Sequence, residues 1–206
     1  PFSGAPYISP AGALPPFFTN LLPEGRRLST LKRTVKASLD DELALLLEVG
    51  SNTIGNVSVV PHGQPLEPAS ASIDLSGPLD FSAALTAAGI ADPVALPGVQ
   101  DKASARTMAT PVRGDGTDYI LKVAPPEYPQ LVENEAACFA IASAAKFPIS
   151  QTQLLIDGSG RPGLLVTRFD RENDTRFHVE DAAQIMGLYP SAKYEPDMED
   201  VAGALM

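Results

Sequence analysis

LPGVQDKASARTMATPVRGDGTDYILK, Leu96 to Lys122, is the stretch on which the reading of the fold turns. Pro97-Gly98 opens it as a turn, and Lys102 follows with a basic side chain. Ala103 to Val112 alternates as a strand, and Gly114-Asp115-Gly116 makes a hairpin turn. Tyr119 to Val123 returns as a second strand, carrying Lys122 among apolar neighbours. A loop feeding such a hairpin can cover a polyphosphate with its backbone N–H groups, and an ammonium on the return strand can sit among the phosphate oxygens. By itself, a strand lysine is more often a solvated edge residue. The segment after Lys122 changes that balance.

The chain turns at Pro125-Pro126 and enters a helix expected over Pro129 to Lys146, with Leu131, Ala137, Cys138, Ile141 and Ala144 on its apolar face. Glu127 and Glu133 suit the helix dipole. Glu135 lies thirteen residues beyond Lys122 and deeper in the helix than the dipole requires. A helix packed on the lysine strand lets this carboxylate meet the ammonium and hold it aimed at phosphate, the positioning device of a protein-kinase small lobe. Thr152–Ile156 and Leu164–Phe169 form a second hairpin around Asp157-Gly158-Ser159-Gly160. Its return strand runs out through Thr167, Arg168 and Phe169, where a kinase hinge would read an adenine edge through backbone groups. His178 to Gly187 reads as a capped helix, and the acidic tail, with Asp197, Glu199 and Asp200, as the start of another.

Upstream, residues 61–78 are polar and proline-rich and form the best domain boundary. Ser76 or Asp80 caps a helix through Phe81, Ala84, Leu85 and Ala88 that Gly89 ends. Asn56 to Val60 alternates like a strand, and His62 falls in an exposed turn. Ser38 is expected to cap a helix that turns Leu43, Leu46 and Leu47 to the core and stops at Gly50, with Asp40 and Asp41 serving its dipole. Pro16 opens a short helix with Phe17, Phe18, Leu21 and Leu22 on one face, closed by Pro23 and Gly25.

With 206 residues, 44% hydrophobic and 19% charged, the chain is long enough for one or two domains with real cores. Its net charge of −10 argues against a nucleic-acid clamp. A single cysteine excludes an internal disulfide, and Cys138 reads as a buried core thiol. No apolar run approaches a membrane span, so a reduced, cytoplasmic setting is expected. Pro1-Phe2-Ser3-Gly4, without a start methionine, reads as the middle of something longer.

FFTNLLPEG (17–25), LLLEVG with IGNVSVV (45–60), PGVQDK (97–102), YILK (119–122), ENEAAC (133–138), TRFDR (167–171) and HVEDAAQIMGL (178–188) fall in one order that resembles the HipA family of serine/threonine kinase toxins from bacterial toxin–antitoxin modules. The resemblance covers nearly the whole chain. It implies an α+β fold: a kinase-like small lobe of antiparallel sheet and one long helix over 66–171, preceded by a partial N-terminal subdomain over 1–65 and followed by the start of a helical lobe over 172–206. It implies that Gly98, Val99, Gln100 and Lys102 belong to a loop over the ATP phosphates, that Lys122 contacts those phosphates, and that Glu135 orients Lys122. Thr167, Arg168 and Phe169 would form the hinge at adenine, with Thr167 standing where the family usually has glutamate. The serine that some members autophosphorylate is Ala95 here. The family's catalytic aspartate, asparagine-containing loop and metal-binding aspartate lie in a C-terminal helical lobe. This chain has no asparagine after Asn173 and no histidine after His178, so that lobe is expected to be absent, with no metal ligand in hand.

Two readings follow. In the first, the chain is the N-terminal part of an ATP- and Mg-dependent kinase whose partners are a HipB-like DNA-binding antitoxin and a protein substrate of the translation machinery. In the second, it is a truncated, non-catalytic module that binds an antitoxin or a complementary kinase chain. In both readings no direct nucleic-acid binding and no membrane partner are expected.

Overall fold

A computed structural model describes residues 8, 12–35, 41–66, 71–88, 107–125, 127–173 and 175–206. Its N-terminal elements are α1 (Pro16–Thr19), α2 (Gly25–Val35), α3 (Glu42–Val49), β1 (Ala71–Ser72) and α4 (Phe81–Ala87). The central set is β2 (Met108–Gly114), β3 (Thr117–Val123), α5 (Leu131–Ala144), β4 (Thr152–Ile156) and β5 (Pro162–Thr167). A small hairpin, β6 (Arg171–Glu172) with β7 (Thr175–Arg176), precedes α6 (Ala182–Ile185) and α7 (Met198–Ala204). These elements divide into two compact units: Glu24–Leu31 with Ala69–Arg176, and Pro1–Pro23 with Lys32–Pro68 and Phe177–Met206.

The first unit is built on the hairpin of β2 and β3. Asp115 and Gly116, both at positive φ (49° and 77°), make the two-residue turn whose twist matches the flanking strands. A five-stranded sheet grows from it in the order β1-β2-β3-β5-β4. The expected sheet was purely antiparallel. Instead β1 joins β2 in parallel, Ala71 opposite Val112, and makes the sheet mixed. β1 is two residues long and lies inside the polar passage, so it offers no alternation to read.

Among the described residues, α4 packs on one face of the sheet and α5 on the other. Asp80 caps α4 by accepting from the Ala83 amide, as expected, and Phe81, Ala84 and Leu85 pack on Met108, Val112, Leu121, Val123 and Leu165. Phe81 is fully buried, a contribution of about 1.5–3 kcal/mol. On the other face Val132, with Leu131, Ala136 and Phe139, packs on Ala124, Leu164 and Val166. This corrects the expected apolar face of α5. Ala137, Cys138, Ile141 and Ala144 point to solvent, Ile141 at 69% exposure, and Cys138 is an exposed thiol rather than a core one. The helix is also shorter than expected, running Leu131–Ala144.

In the second unit α1 begins at Pro16 as expected, with Phe17 buried and edge-on to Phe18. The cap of α3 is Asp41, which accepts from the Ala44 amide. Ser38 lies outside the described residues. With the helix starting at Glu42, the inward positions are Leu45 and Leu46, and Leu43 is exposed. Glu42 accepts from the Leu14 amide (2.8 Å) and the Thr19 hydroxyl (3.0 Å), which orients that face toward α1. Asn56–Val60 is not a strand. The Val59 amide donates to Gly50 O at 2.9 Å, and Gly50–Asn52 is a 3-10 turn that offers no ladder to extend.

Asp181 and Gln184 form a capping box at α6, so this helix covers Ala182–Ile185 rather than starting at His178. His178 Nε2 lies 2.7 Å from Glu180 Oε1, and Nδ1 lies 3.2 Å from Asn56 Oδ1. Gln184 Nε2 donates to Phe17 O (3.0 Å) and Asn20 Nδ2 to Leu188 O (2.7 Å), which ties α6 to α1. Asp197 caps α7, so its acidic start is a helix terminus. α2 is an element the sequence reading passed over. Leu28, Leu31 and Val35 carry its spacing, and Leu31 is buried. No helix among the described residues is long and apolar enough to cross a membrane.

Candidate functional site

Lys122 sits in the middle strand of the sheet, with Ala109 beside it on β2 and Leu164 on β5. Strand parity turns Leu121 and Val123 to the α4 face and Lys122 to the α5 face. Leu164, in register with Lys122, packs under Val132, so the lysine stem emerges at the rim of that cluster. On α5, Glu135 falls one turn beyond Leu131 and Val132 and one turn before Phe139, within the packed stripe. The Lys122 ammonium donates to Glu135 Oε1. The two side chains keep 28% and 27% exposure, which leaves the ammonium open to a further anion. A pair this wet adds about 1 kcal/mol or less to stability.

Gly98, Val99, Gln100 and Lys102 lie outside the described residues. At the far end of β5, the Thr167 amide donates to Gln151 O (2.9 Å) and the Arg168 amide to Asp118 O (3.0 Å). Both amides are committed to the fold. The Arg168 side chain is buried and forks onto Asp170, Nε to Oδ1 at 2.9 Å and Nη2 to Oδ2 at 2.7 Å. Arg171 Nη1 donates to the same Asp170 Oδ2 at 2.6 Å. Phe169, between these buried groups, is 69% exposed.

Asp170 and Arg171 were not singled out as site residues from sequence. The signal was present as two basic side chains flanking one acid in RFDR. Burial and the neighbouring Arg168 lower the Arg171 pKa to about 10, an effect that Asp170 opposes. Burial, then Arg168, likewise lower Arg27 to about 10. Both remain cationic at neutral pH. Among the described residues no group of three or more His, Cys, Asp or Glu side chains could hold a metal ion.

The fold is α+β, built on a mixed sheet whose central strand carries Lys122 to Glu135 of α5. A structure titled as the Shewanella oneidensis MR-1 toxin–antitoxin complex of HipA, HipB and operator DNA matches at TM-score 0.66 and 24% identity, covering 91% of this chain and 48% of that one. The family described as HipA N-terminal domain matches residues 1–60, and that described as HipA-like C-terminal domain matches residues 94–206. The chain belongs to the HipA family. Two Sinorhizobium fredii proteins, named "Putative kinase Y4dM" and "Putative kinase Y4mE", are 32% and 30% identical over 200 residues. Those alignments take in 88% and 87% of this chain but 47% of each relative, so the chain spans about half the length of the curated relatives it matches.

Proposed function

We propose that this chain is the ATP-binding part of a HipA-like serine/threonine protein kinase toxin. The observation that carries the reading is the Lys122–Glu135 pair, a solvent-open ammonium held by a helix carboxylate on the central strand. In this reading Lys122 grips the ATP phosphates, Glu135 aims it, and the loop Gly98-Val99-Gln100-Asp101-Lys102 closes over them. A base read through the backbone near Thr167 and Arg168 meets Phe169 first, because the two preceding amides are already donated. Residues 1–65 form a partial N-terminal subdomain, 66–171 the small lobe, and 172–206 the opening of the helical lobe.

The Lys122 ammonium suits the phosphates of ATP, and magnesium would be held by one or two carboxylates together with those phosphates. The reading places the metal-binding aspartate and the catalytic Asp/Asn loop outside these 206 residues. Its partners are a HipB-like antitoxin, as in the Shewanella complex, and a protein acceptor of the translation machinery. Equilibrium titration with ATP tests it. Wild type should bind, Lys122→Ala should lose about tenfold or more, and Glu135→Gln should fall between. Equal affinity in all three would sink the assignment of Lys122.

The 47% coverage of the relatives motivates a second reading, a non-catalytic module that binds an antitoxin or a complementary kinase chain. The natural reading frame separates the two. Codons for an Asp/Asn catalytic loop beyond Met206 favour the kinase, and a stop codon directly after it favours the module.

A further inference from the structure

The strand-end segment Thr167–Arg171 carries a device that the nucleotide reading above does not use. Two of its charged side chains, Arg168 and Asp170, are each about 97% buried and bound to each other through two parallel hydrogen bonds, the strongest geometry available to such a pair. Arg171 adds a third bond to the same carboxylate. A fourth anchor is backbone, the Arg168 amide on Asp118 O of the neighbouring β3. The chain is thus pinned on both sides of Phe169, whose ring is left exposed. Arg171 also lies directly opposite Arg176 across the small hairpin, a like-charge register that is unfavourable without a shared anion. Asp170 and Asp118 both supply negative charge to Arg171 and Arg176, and Asp170 is the one hydrogen-bonded to Arg168 and Arg171. A buried ion pair of this kind is weak evidence for stability, because desolvation offsets much of the attraction, but its two parallel bonds hold the two side chains in one geometry.

We propose that Asp170 is a positioning residue for nucleotide recognition: clamped by Arg168 and Arg171, it fixes the direction of the chain leaving β5 and presents Phe169 to the base. The inference rests on the ATP reading above. It carries a consequence beyond Lys122, namely that discrimination between purines depends on a carboxylate that touches no nucleotide.

The test uses the longest natural product that contains this chain. ATP and GTP affinities are titrated for wild type, Asp170→Asn, Asp170→Glu and Gly163→Ala, with amide exchange of residues 167–171 measured alongside. Asp170→Asn should lose ATP affinity on the order of tenfold, lose most of its preference for ATP over GTP, and unprotect the Arg168 amide. Asp170→Glu should restore part of the preference. Gly163→Ala, a packing change away from the clamp, should lower Tm without moving the preference. An Asp170→Asn protein that only loses Tm, with preference and exchange as in Gly163→Ala, overturns the proposal. Should Asp170→Asn fail to fold, Arg171→Lys removes one clamp bond and must shift the preference in the same direction; an unchanged preference there overturns it equally. Wild type that binds neither nucleotide defeats the ATP reading and the nucleotide consequence with it. Exchange at Arg168 then decides alone whether Asp170 holds the segment.

Discussion

Gly163 and Phe81 are in contact so close that no side chain fits between them: a Cβ on Gly163 would lie 2.5 Å from Phe81 Cε2 and 2.7 Å from Cζ. Phe81 is fully buried at the start of α4, and Gly163 is opposite Val123 in the sheet. The glycine is therefore the seat on which α4 rests. Gly163→Ala should cost about 1–3 kcal/mol, read as a lowered denaturation midpoint at unchanged m-value. A neutral substitution would mean that α4 does not rest on β5 in solution.

The Lys122–Glu135 pair should behave oppositely. Both side chains are more than a quarter exposed, so Lys122→Ala and Glu135→Gln should change stability by about 1 kcal/mol or less. Under the proposed nucleotide reading, their effect falls on ATP affinity, with the lysine variant the more severe. A large loss of Tm with unchanged nucleotide binding would make the pair structural.

What could be read in advance depended on whether one pattern dominated locally. The β2–β3 turn was legible because Asp115-Gly116 tolerates the positive φ that a two-residue hairpin needs. The Lys122–Glu135 meeting was legible because strand parity and a packed helix leave few other places for a mid-helix acid to go. The face of α5 was not. Leu131, Val132, Ala136 and Phe139 make one apolar stripe, and Ala137, Cys138, Ile141 and Ala144 make another. Periodicity cannot choose between two stripes, and the sheet chose the first. The Arg168–Asp170 clamp was hidden for a different reason. Charges two residues apart look solvated in a sequence, and here, around a turn at Phe169 and Asp170, both are buried.

The exposed position of Cys138 gives an inexpensive check on that choice of face. In native protein, iodoacetamide should modify Cys138 at a rate within a fewfold of that in denatured protein. Protection by orders of magnitude would restore the buried-thiol reading and require α5 to be rotated on the sheet.

Exposed apolar side chains on Ile141, Phe147, Leu154 and Ile156 come from α5, the loop after it and the edge strand β4. An uncharged edge strand flanked by exposed apolar groups invites association. Sedimentation of the 206-residue chain should show a mass that rises with concentration, and Leu154→Ser with Ile156→Ser should shift it toward monomer. A clean monomer at all concentrations counts against this.

Acid sensitivity should trace in part to Asp157 in the β4–β5 turn. Its Oδ1 accepts from the Ser159 amide (2.9 Å), the Ser159 hydroxyl (2.6 Å) and the Arg161 amide (2.9 Å). Burial pushes its pKa up, but these hydrogen bonds outweigh that and hold it below the ordinary 3.8. The unfolded chain therefore binds the proton more readily, and stability rises with pH between the folded value and 3.8. The carboxylate's contribution is complete above that range and is lost as pH falls through the folded value. The stability difference between wild type and Asp157→Ala should accordingly be flat from pH 5 to 8, and should shrink once pH drops below about 4. A difference that persists undiminished at pH 2 would show that ionisation of Asp157 is not what stabilises the turn.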